Sequence, residues 1–401
     1  MTLRVNHDRE PRSADLMKKS LLTLAALATF AGAAQAQSSV TLYGIVDAGV
    51  LYSNNIGGQK LYGTSSGNLQ GSRWGLRGTE DLGGGLKARF VLENGFNNFS
   101  GRLGQGGDEF GREAFGLSSQ FGSVTLGRQY DSVVEYTGAL EAASQWATFY
   151  GAHPGDLDNL SNTNWTNNSI KYVSANYGGI KFGGLYSLGG VAGQYNHNQI
   201  WSGGVGYAKG LLTLGAAYLN VKNPNFSFFG DDPRSSTTGS NMTGSQVYSG
   251  FASAKTQQVI SAGGAYTFGH VTVGGTYSNT QFKGLGQTAV TGQPDGSATF
   301  GNAKFHNAEL NFKYQLTPAL LLGAAYDYTK AYSVANEKIH QGMLGVDYFL
   351  SKRTDLYADG IYQHASGTNS VGGTATAQIN GLTASSTSNQ FAAIVGIRHK
   401  F

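Results

Sequence analysis

The feature that most narrows the folds open to this chain is a strict alternation of apolar and polar side chains, repeated in segments of roughly ten residues. Residues 309–316 show it most cleanly: Leu310, Phe312, Tyr314 and Leu316 fall on one face, Glu309, Asn311, Lys313 and Gln315 on the other. Successive side chains of a strand point to opposite sides, so a period of two gives each segment one apolar and one polar surface. The same phase recurs elsewhere. Val40, Leu42, Val46, Ala48 and Val50 oppose Thr41, Tyr43 and Asp47; Val271, Val273 and Tyr277 oppose Thr272, Thr276 and Ser278; Leu320, Leu322, Ala324, Tyr326 and Tyr328 oppose Asp327 and Thr329.

Composition supports a membrane rather than a soluble setting for these strands. Only 13% of the 401 residues are charged, against about a quarter in ordinary soluble domains, while the chain holds 60 Gly, 22 Tyr and 21 Phe. A mean hydropathy of −0.24 argues against a helical membrane protein. In a β-barrel the average cancels, because lipid-facing and lumen-facing residues alternate. Tyr52, Tyr130, Tyr177, Tyr218, Tyr266, Phe268, Tyr328 and Phe349 lie near strand ends and suit the aromatic girdles found at headgroup level.

Strands come in pairs joined by very short turns, at 177–179, 209–210, 266–270, 317–318 and 351–353. The pairs are separated by long Gly/Ser/Asn/Thr-rich stretches at 53–70, 223–255, 283–304 and 366–388. Short turns at one end and long loops at the other mark an up-and-down antiparallel transmembrane barrel, and the pattern gives sixteen strands. An even count lets the first and last strands pair and leaves no open edge, and sixteen strands leave room for an aqueous channel. A soluble multi-sheet β protein would not explain the apolar outer faces or the aromatic strand ends.

The first 36 residues read differently. Met17-Lys18-Lys19 begins a basic segment, Leu21 to Ala34 is an apolar run, and Ala34-Gln35-Ala36 fits small-x-small cleavage, so residues 1–36 are expected to be a secretory signal with Gln37 the first mature residue. Residues 1–16 do not fit a signal, and Met17 is the expected true start. The barrel would then occupy 37–401. Removing the leader's five basic and three acidic residues from the formal +4 leaves about +2, no sign of nucleic-acid binding. With no Cys, disulfides, thiolate metal sites and Cys nucleophiles are excluded.

Several segments resemble the general porins of Gram-negative bacteria, those of β-proteobacteria above all. They are Ser39-Val40-Thr41-Leu42-Tyr43-Gly44 with Asp47; Gly71-Ser72-Arg73-Trp74-Gly75-Leu76-Arg77-Gly78-Thr79-Glu80-Asp81-Leu82; Gly85-Leu86-Lys87-Ala88-Arg89-Phe90; Phe121-Gly122-Ser123-Val124-Thr125-Leu126-Gly127-Arg128-Gln129-Tyr130; and Asn168-Ser169-Ile170-Lys171-Tyr172. The chain ends Gly396-Ile397-Arg398-His399-Lys400-Phe401, similar to the terminal signal read by the barrel assembly machinery, with His399 in place of a more usual aromatic. The resemblance spans the whole expected mature chain. It implies an outer-membrane homotrimer of barrels in contact with lipid, each passing ions and small polar solutes passively, with a third long loop folded inward.

A pore's chemistry is the radius and charge of its narrowest part. Strand parity turns Arg73, Arg77, Lys87, Arg89, Lys171 and Lys181 inward, and Arg112 joins this basic set. Parity with Val124 and Leu126 points Arg128 outward; an Arg facing lipid would cost roughly 2–4 kcal/mol, and a bulge at Gly127 would turn it to the lumen. The inward loop is expected at 131–166, and the resemblance implies that its acids, Asp131, Glu135, Glu141, Asp156 and Asp158, face the basic cluster, with Glu135 and Glu141 first. The usual Pro-Glu-Phe-Gly-Gly type of loop motif is absent. Basic wall positions favour weak anion preference, while inward Glu309, Asp327, Asp347 and Asp359 work against it.

Other motifs carry less. Gly63-Thr64-Ser65-Ser66-Gly67 matches a nucleophile elbow but lacks the strand-to-helix setting that motif needs. None of the eight His residues forms a spaced metal pair. No cofactor is expected; a loop-bound calcium at Asp156-Leu157-Asp158-Asn159 is the one candidate, though the loop's Gly and distal Glu are missing. A solute-specific channel would need an aromatic line along the lumen, which the scattered Tyr43, Tyr357 and Trp146 do not supply. An adhesin would work through its outer loops, and a barrel enzyme would need fewer strands and a His–Ser pair.

Overall fold

In the computed structural model, residues 39–104, 110, 112–231, 239–292 and 301–401 are described; the expected signal segment lies outside them. The strands are β1 (Ser39–Ile56), β2 (Gln59–Ser66), β3 (Arg73–Gly83), β4 (Leu86–Gly95), β5 (Arg112–Ser119), β6 (Gly122–Gln129), β7 (Thr166–Ser174), β8 (Ile180–Ser187), β9 (Ile200–Lys209), β10 (Leu212–Lys222), β11 (Thr256–Phe268), β12 (Val271–Lys283), β13 (Ala303–Thr317), β14 (Leu320–Ser333), β15 (Asn336–Phe349), β16 (Thr354–Thr368) and β17 (Asn389–Lys400). All pair antiparallel with their neighbours, and β1 pairs with β17 from Ile45↔Lys400 to Ser53↔Ala392, which closes the sheet. The barrel has sixteen strands, because β2 and β3 lie end to end along β1 and form one barrel strand interrupted at 67–72.

The stretch 53–70, expected as a long loop, is instead the tip of the β1–β2 hairpin. It turns at Gly57 and Gly58, whose φ values of 57° and 99° fit the positive-φ hairpin turns that match strand twist. The interruption after β2 is specified by Asp47. Its buried carboxylate accepts the backbone N–H groups of Leu69 (2.7 Å) and Gln70 (2.9 Å) and the Tyr357 hydroxyl (2.5 Å), and so holds 67–72 on the inner side.

Parity places side chains as the alternation requires. Val40, Leu42, Val50, Leu310, Phe312, Tyr326, Val395 and Ile397 are exposed on the outside, while Asp47, Thr276, Glu309, Asn311, Asp327 and Thr329 are buried within. At the short-turn end, Tyr177 stacks on Phe182 and Tyr266 on Phe268, as girdle aromatics do. Tyr130 departs from this role: it stands inside, its ring 4.3 Å from that of Trp165.

The barrel interior is not uniformly wet. At the long-loop end, Leu157, Phe226, Met242, Tyr248, Phe251 and Ala377 from several loops pack with Phe282, Phe305 and Ile339 from the wall as one apolar cluster. The wall contributes to that cluster from β12–β16, and β3–β7 contribute none of its residues.

Candidate functional site

Residues 130–165, between β6 and β7, fold into the barrel, so Thr166, expected in the loop, opens β7 instead. The segment contains α1 (Ser132–Tyr136) and α2 (Ala142–Gln145). Asp131 caps α1 by accepting from the backbone N–H of Val133 (2.6 Å), the role short acidic residues play where the first turn leaves donors free.

The loop docks on the inner wall through glycines. The Tyr136 ring lies over Gly204 and Gly206 with its hydroxyl end at Gly183, and the Trp146 indole lies against Gly323 and Gly345; a Cβ at Gly204, Gly323 or Gly345 would collide with those rings. Polar contacts complete the seat. Glu309 accepts the Ala142 N–H (2.9 Å), Asn311 donates to the Leu140 carbonyl (2.8 Å), and Gln341 donates to the carbonyls of Gly151 (3.1 Å) and Ala152 (3.0 Å). The inward polar face of β13–β15 therefore meets protein here, not lumen water.

Across from the docked loop, three cavities run end to end. One of about 390 Å³ is lined by Arg77, Lys87 and Arg89. A second, about 130 Å³, shares Arg89 and is lined by Arg112, Lys171, Glu135 and Tyr130. A third, about 610 Å³, shares Tyr130 and is lined by Arg73, the 67–71 segment and loop residues including Ala139, Ser144 and Ser161. This lane has one side rich in guanidinium and ammonium groups and the other made of loop surface on which Glu135 is the one lining acid among the described residues. Arg73 stands 3.4 Å from Glu93, and the Arg77 and Arg112 guanidinium groups lie over the rings of Tyr43 (5.2 Å) and Tyr130 (5.0 Å). Aromatic faces hold such cations in place without cancelling their charge. A larger apolar groove of about 800 Å³, lined by Leu310, Phe312, Tyr326 and Leu344, lies on the outer face and takes no part in the lane.

Two of the expected basic positions lie elsewhere. Lys181, near the short-turn end of β8, lines none of these cavities. Arg128 is drawn inward by a register shift after Gly127 (φ 129°), the expected bulge, but is pinned: it donates to Asn167 (2.7 Å), pairs with Asp231, and lies over Trp165 at 5.7 Å.

The expected row of loop acids facing the basic cluster is corrected by the fold. Glu135 alone among the five lines the lane, 3.0 Å from Lys171. Asp131, Glu141, Asp156 and Asp158 are buried with at most 1% exposure and serve the loop itself. Glu141 accepts from the His153 N–H (2.9 Å) and the Ser161 hydroxyl (2.7 Å). Asp156 accepts from the N–H groups of Ser161 (3.0 Å) and Thr163 (2.9 Å). Burial pushes Asp131 up to about 6 and Asp156 up to about 7, and holds Glu141 well above the usual carboxylate range. Burial alone would lower the His153 imidazole, but the carboxylates of Asp158 and Glu141 outweigh it and hold it well above its ordinary value. The same contact keeps Asp158 below its ordinary value against the opposing effect of burial.

Sequence reasoning missed the glycine seats, the 67–72 insert and Arg398. The last pairs with Asp355, lies 3.7 Å from Asp347 and donates to Gln70 at 3.2 Å. The glycines had a readable signal, since Gly204, Gly206, Gly323 and Gly345 share the inward phase of their strands; nothing in the sequence says which side chains fill them.

A narrowed, charged lane through a closed transmembrane barrel is a channel's architecture, and the family model for the Gram-negative porins matches residues 23–370. The chain belongs to the Gram-negative porin family. An outer membrane porin of Bordetella pertussis is 33% identical over 86% of this chain and 94% of its own length. Among solved structures, an anion-selective porin from Comamonas acidovorans shares 26% identity with a TM-score of 0.67, covering 91% of this chain and all of that one. The Vibrio cholerae outer membrane protein OmpT, in a trimer form, shares the fold at 19% identity and a TM-score of 0.60, covering 91% of this chain and 99% of its own. This porin is a protein of the outer membrane, and its barrel provides a passive, water-filled route for small hydrophilic solutes.

Proposed function

We propose that the channel prefers anions, and that Arg73, Arg77, Lys87, Arg89, Arg112 and Lys171 form the path along which they move. The supporting observation is the asymmetry of the lane. These basic side chains line the cavities, while four of the five loop acids are buried away from them. A field without an opposed acidic row raises the local anion concentration and lowers that of cations. The anion-selective porin of Comamonas acidovorans agrees with this reading.

The test is the reversal potential of single channels in a planar bilayer under a salt gradient. The wild type should show anion preference that weakens as salt rises, because mobile ions screen wall charges over about 10 Å at 0.1 M. Arg89→Glu with Arg112→Glu should reverse the sign at low salt; a wild-type barrel preferring cations would overturn the reading.

The proposed assembly is a homotrimer, as the sequence resemblance implies and as the trimer form of OmpT exemplifies. Cross-linking of the unheated, folded protein should give a three-chain band, and stepwise openings should come in threes.

A further inference from the structure

A fully buried polar cluster lies outside the conducting lane, where the loop meets the wall. His153, at 0% exposure, donates its Nδ1–H to the Asp158 carboxylate at Oδ2, 2.8 Å away. Its other nitrogen, Nε2, faces three carboxylate oxygens: Glu309 Oε2 at 3.7 Å, Glu141 Oε1 at 3.8 Å and Asp327 Oδ1 at 3.9 Å. These separations are too long for hydrogen bonds. The nearest hydrogen-bonding atom to Nε2 is the Thr276 hydroxyl, at 3.4 Å.

Two of these oxygens have no hydrogen-bond partner at all. Glu309 Oε2 and Asp327 Oδ1 are unsatisfied, and their residues are only 5% and 0% exposed. Each residue's other oxygen is engaged: Glu309 Oε1 accepts from Ala142 and Asn311 (2.7 Å), and Asp327 Oδ2 faces Thr329 at 3.4 Å. Among the described residues no Lys or Arg pairs with Glu141, Asp158, Glu309 or Asp327. One imidazole therefore stands against four buried carboxylates, and buried carboxylates without a counter-charge are costly.

The geometry has the form of a metal centre. Ligand atoms of Glu141, His153 and Glu309 lie within 4.8 Å of one another. Donors about 2.0–2.2 Å from one tetrahedral ion stand roughly 3.3–3.6 Å apart, so small side-chain movements bring all three into its shell. A carboxylate on Nδ1, here Asp158, is the outer partner that orients a metal-binding imidazole. We propose that His153, Glu141 and Glu309, with Asp327 beside them, bind a divalent transition cation of the zinc class that staples the loop to β13 and β14. The mixture of imidazole and carboxylate fits this class better than calcium, which takes six to eight oxygens. The calcium candidate of the sequence, at 156–159, has its Asp156 and Asp158 oxygens engaged by Ser161, Thr163, His153 and Ser278.

The experiment uses the full folded porin in detergent, stripped with a chelator and then exposed separately to Zn²⁺, Mn²⁺ and Ca²⁺. Ions retained after gel filtration are counted by elemental analysis, and Tm is measured with and without each. The wild type should retain about one Zn²⁺ per chain and gain several degrees in Tm. Glu309→Gln keeps the shape of the side chain and should lose both effects; unshifted mobility of the unheated protein on a gel shows that it has folded. Retention by the wild type no greater than by Glu309→Gln, or retention of Ca²⁺ in place of Zn²⁺, would overturn the assignment. Should Glu309→Gln not fold, failure of the wild-type barrel to retain Zn²⁺ overturns it alone. Anion preference is read separately by reversal potential, so failure here leaves the conduction reading untouched.

Discussion

Glu135 and Lys171, 3.0 Å apart, put opposite charges at the same narrow point of the lane. A unit charge about 10 Å from a passing ion in water contributes roughly 0.4 kcal/mol, near a factor of two in local ion concentration. Glu135→Gln should therefore raise the anion-to-cation permeability ratio about four-fold in dilute salt, about two-fold from each ion, and reversal potentials will show it. Asp131 is a different case, because it caps α1 from a fully buried position. Its carboxyl is raised from 3.8 to about 6, so folding favours the protonated form. Stability linked to this group is fully present below about pH 4 and is lost as pH rises through about 6, the reverse of the usual exposed aspartate. Two pH units correspond to roughly 3 kcal/mol. Comparing Tm at pH 4 and pH 7 should give a fall in the wild type that Asp131→Asn reduces but does not abolish, because Asp156 and Glu141 are raised in the same direction.

At the level of the element, the loop's position depends on a few rings seated where the wall has no side chains. Trp146 is 2% exposed against Gly323 and Gly345. Truncating a buried Trp costs about 3–5 kcal/mol. Trp146→Ala should lower Tm and increase conductance fluctuations, since the loop loses its seat while the barrel ladder is untouched. Gly323→Val should give the same phenotype from the wall side by displacing the ring. If both variants conducted as quietly as wild type, the glycine seats would not fix the loop. The alternation in β13 and β14 told which side chains point inward, and Glu309 and Asp327 do; that they meet a folded loop instead of water was not legible. The loop acids were misread for the same reason. Composition gives their charge, but their burial depends on His153 and on backbone N–H groups brought to them by the loop's own turns.

For the molecule as a whole, closure rests on the seam between the first and last strands. Phe401 donates its N–H to the Gly44 carbonyl (3.0 Å) and accepts from the Gly44 N–H (3.1 Å), and its ring covers the space a side chain at Gly44 would fill. The ring is 45% exposed, so its burial stabilises the native seam by only about 1 kcal/mol. Phe401→Ala should then lower the yield of assembled barrel in cells far more than the Tm of molecules already folded. A matched fall in both would make Phe401 a structural seam residue without a separate role in assembly.

Strand number, the inward and outward faces and a basic wall were all legible in the chain alone. Each follows from short-range rules: parity of two along a strand, turn residues between strands, and the energetic cost of charge in lipid. The β1–β2 hairpin escaped these rules because Leu61 and Tyr62 are adjacent, so they fall on opposite faces and give no two-residue period, and the residues around them are the same Gly, Ser and Thr that make up the loops. Where water can run is set by the folded barrel. That depends on which distant surfaces meet: Tyr136 with the glycines of β8 and β9, Trp146 with those of β14 and β15, and His153 with carboxylates from two strands more than 150 residues further along. Such contacts are fixed by closure of the barrel around the loop, and no local pattern in the chain encodes them.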